Sequence, residues 1–286
     1  MRFTFQLFIY LAAICLANAE TWQINARISE KLAGRSVVIE HGVIPGLAEE
    51  AGQIEVSLTE GDYAIAEAGR QIRGTLSAEA DGLKLAGIWP AELDLQQTMM
   101  LINRELTRPR LSRVGKKMLT VGDKLPRFAL YNQRGKLVTP DNLKGKVVVL
   151  NFIFTRSKVP SMCPATTRRM VELQQLLIKN GFRNEVRQVS LTLDPEYDTP
   201  GICYEYLDEQ GVDHDTFWLM TGPPQVLGQL TKEIGVVSTP SEKSILNHSM
   251  VTLILDKESK VFFRKPGTRW EVKDIYDRME ILLKPW

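Results

Sequence analysis

The chain has 286 residues, 44% of them hydrophobic, which leaves room for about two domains of roughly 100–200 residues each and enough apolar side chains to fold rather than stay disordered. Lys and Arg number 36 against 34 Asp and Glu, a formal net charge of +2. That balance has no polycationic signature, so nucleic acid is not an expected partner.

Residues 1–19 read as an export signal. Arg2 supplies the positive start, residues 3–16 are mostly apolar with Thr4 and Gln6 as interruptions, and Ala17, Asn18 and Ala19 offer small residues for cleavage before Glu20. The apolar run falls short of the ~20 residues of a spanning helix. The expectation is a periplasmic or otherwise exported protein, membrane-anchored through this segment if the signal stays uncleaved. Bulky Ile14 argues against lipid attachment at Cys15. Cleavage leaves Cys163 and Cys203, which can pair with each other but are too few for a disulfide framework.

Residues 20–94 read as a small all-β barrel domain. Stretches 22–28, 36–40, 53–58, 71–76 and 83–89 alternate or are β-branched, with turn signals at Gly34, Gly46, Gly61 and Gly82. Five short strands spaced this way suit a barrel of the oligonucleotide-fold type. His41 reads as a surface or turn residue. Residues 95–120 read as a connector, with a short helix at 96–106 and a basic cluster of Arg108, Arg110, Arg113, Lys116 and Lys117. That cluster either contacts anionic lipid or an acidic partner, or is a solvated linker.

From residue 121 strands and helices alternate. An extended lead-in and a hairpin at 121–138 precede residues 146–154, a nearly continuous apolar run expected as a central strand covered on both faces. A helix starting at Pro164 carries Met170, Leu173, Leu176 and Leu177 as its buried stripe. A strand at 186–193, a helix from Thr199-Pro200, a strand at 217–220 and a helix at 223–234 follow. A hairpin at 249–255 and 260–264 and a helix at 272–283 close the chain. The fold class is α/β, a thioredoxin-like domain at 121–286 preceded by the barrel.

Cys163 is the candidate reactive residue. It precedes Pro164 at a helix start, where the partial positive charge of the helix end favours a thiolate. The alternative is a buried, inert thiol. Cys203, inside the next helix, reads as packed, and His214 as exposed in a loop. Met162 and Met250 are either thioether donors or core residues, Met250 sharing a strand face with His248.

Residues 121–286 resemble the Sco family (synthesis of cytochrome c oxidase), through Gly122-Asp123-Lys124-Leu125-Pro126, Gly145 to Arg156, Cys163-Pro164, Asp194-Pro195-Glu196-Tyr197-Asp198-Thr199-Pro200, Trp218 to Gly222, Asn247-His248-Ser249 and Pro266 to Trp270. The resemblance implies a thioredoxin-fold, copper-handling protein outside the cytoplasm, in which two cysteines and a distant histidine hold the metal. On that alignment Cys163 and His248 match metal ligands, Asp194 matches a nearby acidic residue, and Ser157 stands where the first cysteine is expected. Residues 38–47 also resemble the copper-binding barrels often fused to this family, but residues 48–56 lack the methionines such barrels use. Without soft thioethers, Cu(I) has no reason to prefer that site.

Serine for cysteine exchanges a soft thiolate for a hard, weakly basic hydroxyl and removes the partner for a motif disulfide. The reading is therefore a metallochaperone-like protein rather than a dithiol enzyme. It binds or delivers copper as Cu(I), in a weakened or lost site, to a respiratory oxidase subunit or another copper protein. Two alternatives stand beside it. A one-cysteine thiol peroxidase would attack peroxide with Cys163, although Pro160 sits where peroxiredoxins carry a hydroxyl. A thioredoxin-fold partner module would bind no metal at all.

Overall fold

The computed structural model describes residues 20–108, 118–236, 238–239, 247–248, 250–267 and 269–284. The expected export signal, with Cys15, and most of the basic cluster, from Arg110 to Lys117, lie outside the described residues. Among the described residues no helix is long and apolar enough to cross a membrane.

Strands β1 (Thr21–Lys31), β2 (Ser36–His41), β3 (Gly52–Leu58), β4 (Gln71–Glu79) and β5 (Gly82–Pro90) close into a barrel in the order β1-β2-β3-β5-β4. Alternation sets the two faces: Ile24, Ala26 and Ile28 of β1 point inward to meet Val37, Ile39, Leu76 and Leu85. The turn expected around Gly61 is instead helix α1 (Glu60–Ile65), because the Thr59 hydroxyl accepts the Asp62 N–H at 3.2 Å and caps it. His41 is buried rather than exposed. Gly52 lies directly opposite it on β3 and leaves room for the ring, whose Nδ1 sits 2.7 Å from the Gly42 carbonyl.

Most of the expected connector is helix. In α2 (Leu93–Thr107), Met99, Asn103 and Leu106 face inward. Asn103 donates to the Ala129 carbonyl at 2.9 Å and accepts the Ala129 N–H at 2.8 Å, which fixes the helix against the second half of the chain.

That half is an α/β layer. Its chain order is β6 (Leu130–Asn132), β7 (Leu137–Val138), β8 (Val147–Ile153), α3 (Cys163–Lys179), β9 (Val186–Thr192), α4 (Pro200–Glu209), β10 (Phe217–Thr221) and α5 (Pro224–Ile234). The short pair β11 (Ser238–Thr239) and β12 (Asn247–His248) follows, then β13 (Val251–Leu255), β14 (Val261–Pro266) and α6 (Val272–Leu283). Seven strands form one sheet in the order β14-β13-β8-β9-β10-β6-β7. β8 pairs parallel with β9 and antiparallel with β13, and all of its residues are buried, as its apolar run demands.

The barrel and the α/β layer meet at glycines. Gly61 N–H donates to Glu205 Oε1 at 2.7 Å, and a Cβ on Gly61 would collide with the Gly201 carbonyl. Asp62 is buried beside them and accepts the N–H groups of Gly87 and Ile88 at 2.8 and 3.1 Å. Burial outweighs those two donors and pushes its carboxyl up to about 6.

Candidate metal-binding site

The site begins where β8 runs out. Past Ile153 the chain turns twice, with Ser157 N–H donating to the Phe154 carbonyl at 3.3 Å and Met162 N–H to the Val159 carbonyl at 3.0 Å. α3 then starts at Cys163, with Pro164 in its first turn, where a missing N–H costs nothing. This path folds the loop back on itself. The Ser157 hydroxyl and the Cys163 thiol are hydrogen-bonded to each other.

The thiol is fully buried, packed in the cluster that includes Phe154, Met170 and Trp270. Burial raises its pKa; contact with Ser157 and with the Phe154 backbone pulls the other way and loses, and the Asp198 charge adds to the rise. The helix-end argument for a thiolate is thereby corrected: desolvation of the charged form outweighs the helix terminus here. A covered, neutral thiol also weighs against attack on peroxide. Cys203 is free and buried as well, its Sγ 3.7 Å from the Asp198 carbonyl, and desolvation raises its pKa further.

Beneath the thiol lies a polar floor that sequence reasoning missed. Asp198 is fully buried and accepts from the hydroxyls of Thr155 and Thr192 and, at 3.3 Å, from the Thr155 N–H. Desolvation pushes its carboxyl up to about 6. Tyr206, paired with Thr167 at 2.8 Å, is driven up to about 12 by burial, with the Cys163 charge contributing. Asp194 forms the rim. It takes Arg156 Nε at 2.5 Å, and the same guanidinium lies 4.7 Å over the Tyr197 ring. The available signal for Asp198 was its place immediately before the Thr199 helix cap, four residues after Asp194.

His248 does not open the hairpin strand. It belongs to β12, paired with Ser238 in β11, while β13 starts at Val251. The pairing of β13 with β14 begins at Val251 and Pro266, flanked by the Gly267 N–H donating to the Met250 carbonyl at 2.8 Å. Leu253 pairs with Leu150, so the start of β13 lies at the end of the sheet from which β8 releases the Cys163 loop. The backbone thus puts His248 at that end of the sheet; its side chain lies outside the described part of the structure. Met250 is buried and lies outside both β12 and β13; the strand face expected for it and His248 falls on side chains outside the described part of the structure.

His214 is buried, not exposed. Its ring stacks on Tyr204 at 4.5 Å, Gln133 Nε2 lies 3.2 Å from its Nδ1, and desolvation lowers its pKa. Among the described residues no three His, Cys, Asp or Glu side chains converge as a metal site. The donors in contact at the loop are one thiol and one hydroxyl. With an imidazole beside it, the thiol would make a two-donor site suited to a soft cation, the hydroxyl being too hard to add to it.

A family model described as SCO1/SenC matches residues 117–283, more than half of the chain. The chain belongs to the SCO1/SenC family. A SCO2-like protein of Rickettsia felis is 30% identical over 139 residues, covering 46% of this chain and 64% of that protein. The SCO1 protein homolog of Bacillus subtilis is 34% identical over 98 residues, covering 34% of this chain and 49% of that protein. The match therefore spans less than two thirds of either relative's own length. A SCO1/SenC family lipoprotein from Bacillus anthracis superposes on 57% of this chain and 96% of its own with a TM-score of 0.53 and 26% identity. The α/β layer is the thioredoxin-like layer of a Sco protein.

Proposed function

We propose that this SCO1/SenC chain is an exported copper-binding protein that delivers Cu(I) to a respiratory oxidase subunit or another copper protein through a one-thiol site. Cys163 and His248 are the ligands, and Ser157 marks the lost sulfur. One observation carries the reading: the Ser157 and Cys163 side chains touch, in the loop where the family resemblance expects two cysteines. The thioredoxin-like layer supports it by bringing the backbone of His248 to the same end of the sheet. A single thiolate with one imidazole holds Cu(I) weakly and Cu(II) poorly, so the chain acts by binding and release rather than turnover. The barrel serves as a separate scaffold or docking domain; His41, buried against Gly52, has no soft partner there that would make it a copper ligand.

The second reading, a module that binds a partner without metal, is favoured by the complete burial of the Cys163 thiol. Copper content separates the two. The chain expressed for export in copper-supplemented cells and purified without chelator should carry copper up to one equivalent, and the Cys163→Ala chain none. A copper-free wild-type chain under those conditions leaves the partner module.

A further inference from the structure

A cleft of about 710 Å³ opens between the barrel, α2 and the turn after Asp194. Its floor is aromatic: Trp89 and Tyr131 meet edge to face with ring centroids 6.2 Å apart. Above Trp89 lies the Arg73 guanidinium, 5.4 Å from the ring, and Met100 stands largely exposed at the mouth. Pro195 and Pro223 harden the opposite wall.

The polar groups of this cleft are unspent. Arg73 makes no hydrogen bond or ion pair with any described residue, and neither do the side-chain amides of Asn25 and Gln96, which also line it. A guanidinium stacked on an aromatic ring presents a rigid fork of N–H donors that matches a carboxylate. Each side-chain amide offers a donor and an acceptor, the complement of a peptide group. Aromatic rings and a thioether take an apolar side chain. Glu196 on the rim repels a second negative charge, so the ligand carries its acidic group on the barrel side. The cleft is held open beforehand: Asn103 fixes α2 to Ala129 from both directions, and Gly61 and Gly201 lock the barrel to α4. A preformed site avoids the cost of ordering its walls.

We propose that this cleft binds an extended peptide segment of a partner protein in which a bulky apolar residue stands next to an aspartate or glutamate, the carboxylate on Arg73 and the apolar side chain on Trp89 and Tyr131. Neither Ser157, Cys163 nor His248 lines the cleft, so peptide binding there does not depend on whether the chain binds copper. The test is a metal-free NMR titration of the isotope-labelled chain with acetyl-Leu-Asp-Pro-amide, acetyl-Leu-Asn-Pro-amide and N-acetylphenylalanine, each to about 5 mM, a range suited to ligands this small. The aspartyl peptide should shift the Trp89 indole and Arg73 signals and bind about tenfold more tightly than its asparaginyl twin, the size of one charge-assisted contact. Arg73→Gln, at an exposed position, should erase that difference while leaving the spectrum of the fold unchanged. No shift at Trp89 with either peptide, equal binding of both, or tighter binding of N-acetylphenylalanine than of the aspartyl peptide would overturn the proposal; the last result would point to a small organic acid instead.

Discussion

Ser157 and Cys163, with five residues between them, are hydrogen-bonded to each other at the mouth of α3. The loop therefore sets one soft and one hard donor side by side. A second sulfur should strengthen the proposed Cu(I) site. Ser157→Cys is expected to raise Cu(I) affinity by more than the roughly 10–100-fold that outer-shell changes produce, since it alters a direct ligand. An anaerobic competition titration of the variant against wild type checks this, and equal affinities would place Ser157 outside the coordination sphere.

The buried state of Cys163 sets its reactivity. Its pKa is raised in the fold, so the proton is held at neutral pH, and Cys203 is covered as well. Both thiols should react with iodoacetamide far more slowly in the native chain than in denaturant. The native rate should keep climbing above about pH 8.5, the pKa at which a free cysteine would begin to level off. Mass spectrometry of the alkylated chain, site by site, follows both. Fast labelling of native Cys163 at pH 7 would contradict the burial argument.

Asp62 couples stability to pH. Its carboxyl is raised from 3.8 to about 6, so the folded state holds that proton more tightly than the unfolded state does. The sign follows directly: the contribution is fully present below pH 3.8 and is lost as pH rises through about 6. A shift of this size corresponds to about 2–3 kcal/mol. Urea unfolding of wild type and Asp62→Asn at pH 4 and pH 7 should show wild type losing that much more than the variant on going to pH 7. Parallel pH profiles would show that Asp62 does not titrate in this range.

The Gly61–Gly201 contact is a steric prediction. A methyl group on Gly201 would overlap Asp62, both its buried carboxylate oxygen and its backbone nitrogen, and one on Gly61 would overlap the Gly201 carbonyl. Gly201→Ala should cost about 1–3 kcal/mol or more in urea unfolding, the range of overpacked sites. Gly228→Ala, inside α5 where a Cβ meets nothing within 4 Å, serves as the control and should be neutral or stabilising by up to about 1 kcal/mol, the helix preference of Ala over Gly.

What the sequence made legible is the part written in long apolar patterns. The run at Val147–Ile153 is buried along its whole length, and the stripe of Met170, Leu173 and Leu177 is the inward face of α3. Strands in the first ninety residues declared themselves by alternation, although the parallel pairing of Ser57 with Lys84 left no local trace. The site was less readable, because burial is a tertiary quantity. The helix end near Cys163 is visible in sequence; its burial is not, because the cluster that buries it includes Trp270 from near the other end of the domain. His41 and His214 went wrong for the same reason, their cover supplied by Gly52 across a strand pair and by Tyr204 on α4. Asp198 was missed because only the fold brings Thr155 and Thr192 to it. The strand boundary at His248 was not legible either, because its pairing with Ser238 in a separate two-stranded sheet is a tertiary feature.

Joint binding of Cu(I) by Cys163 and His248, as proposed, is tested most directly by anaerobic titration against a chromophoric Cu(I) chelator. Wild type should withdraw one equivalent of Cu(I), and Cys163→Ala and His248→Ala should each weaken it by at least about tenfold, consistent with loss of a direct ligand. A wild-type chain that takes no copper from the chelator, or two variants that bind as well as wild type, would contradict it.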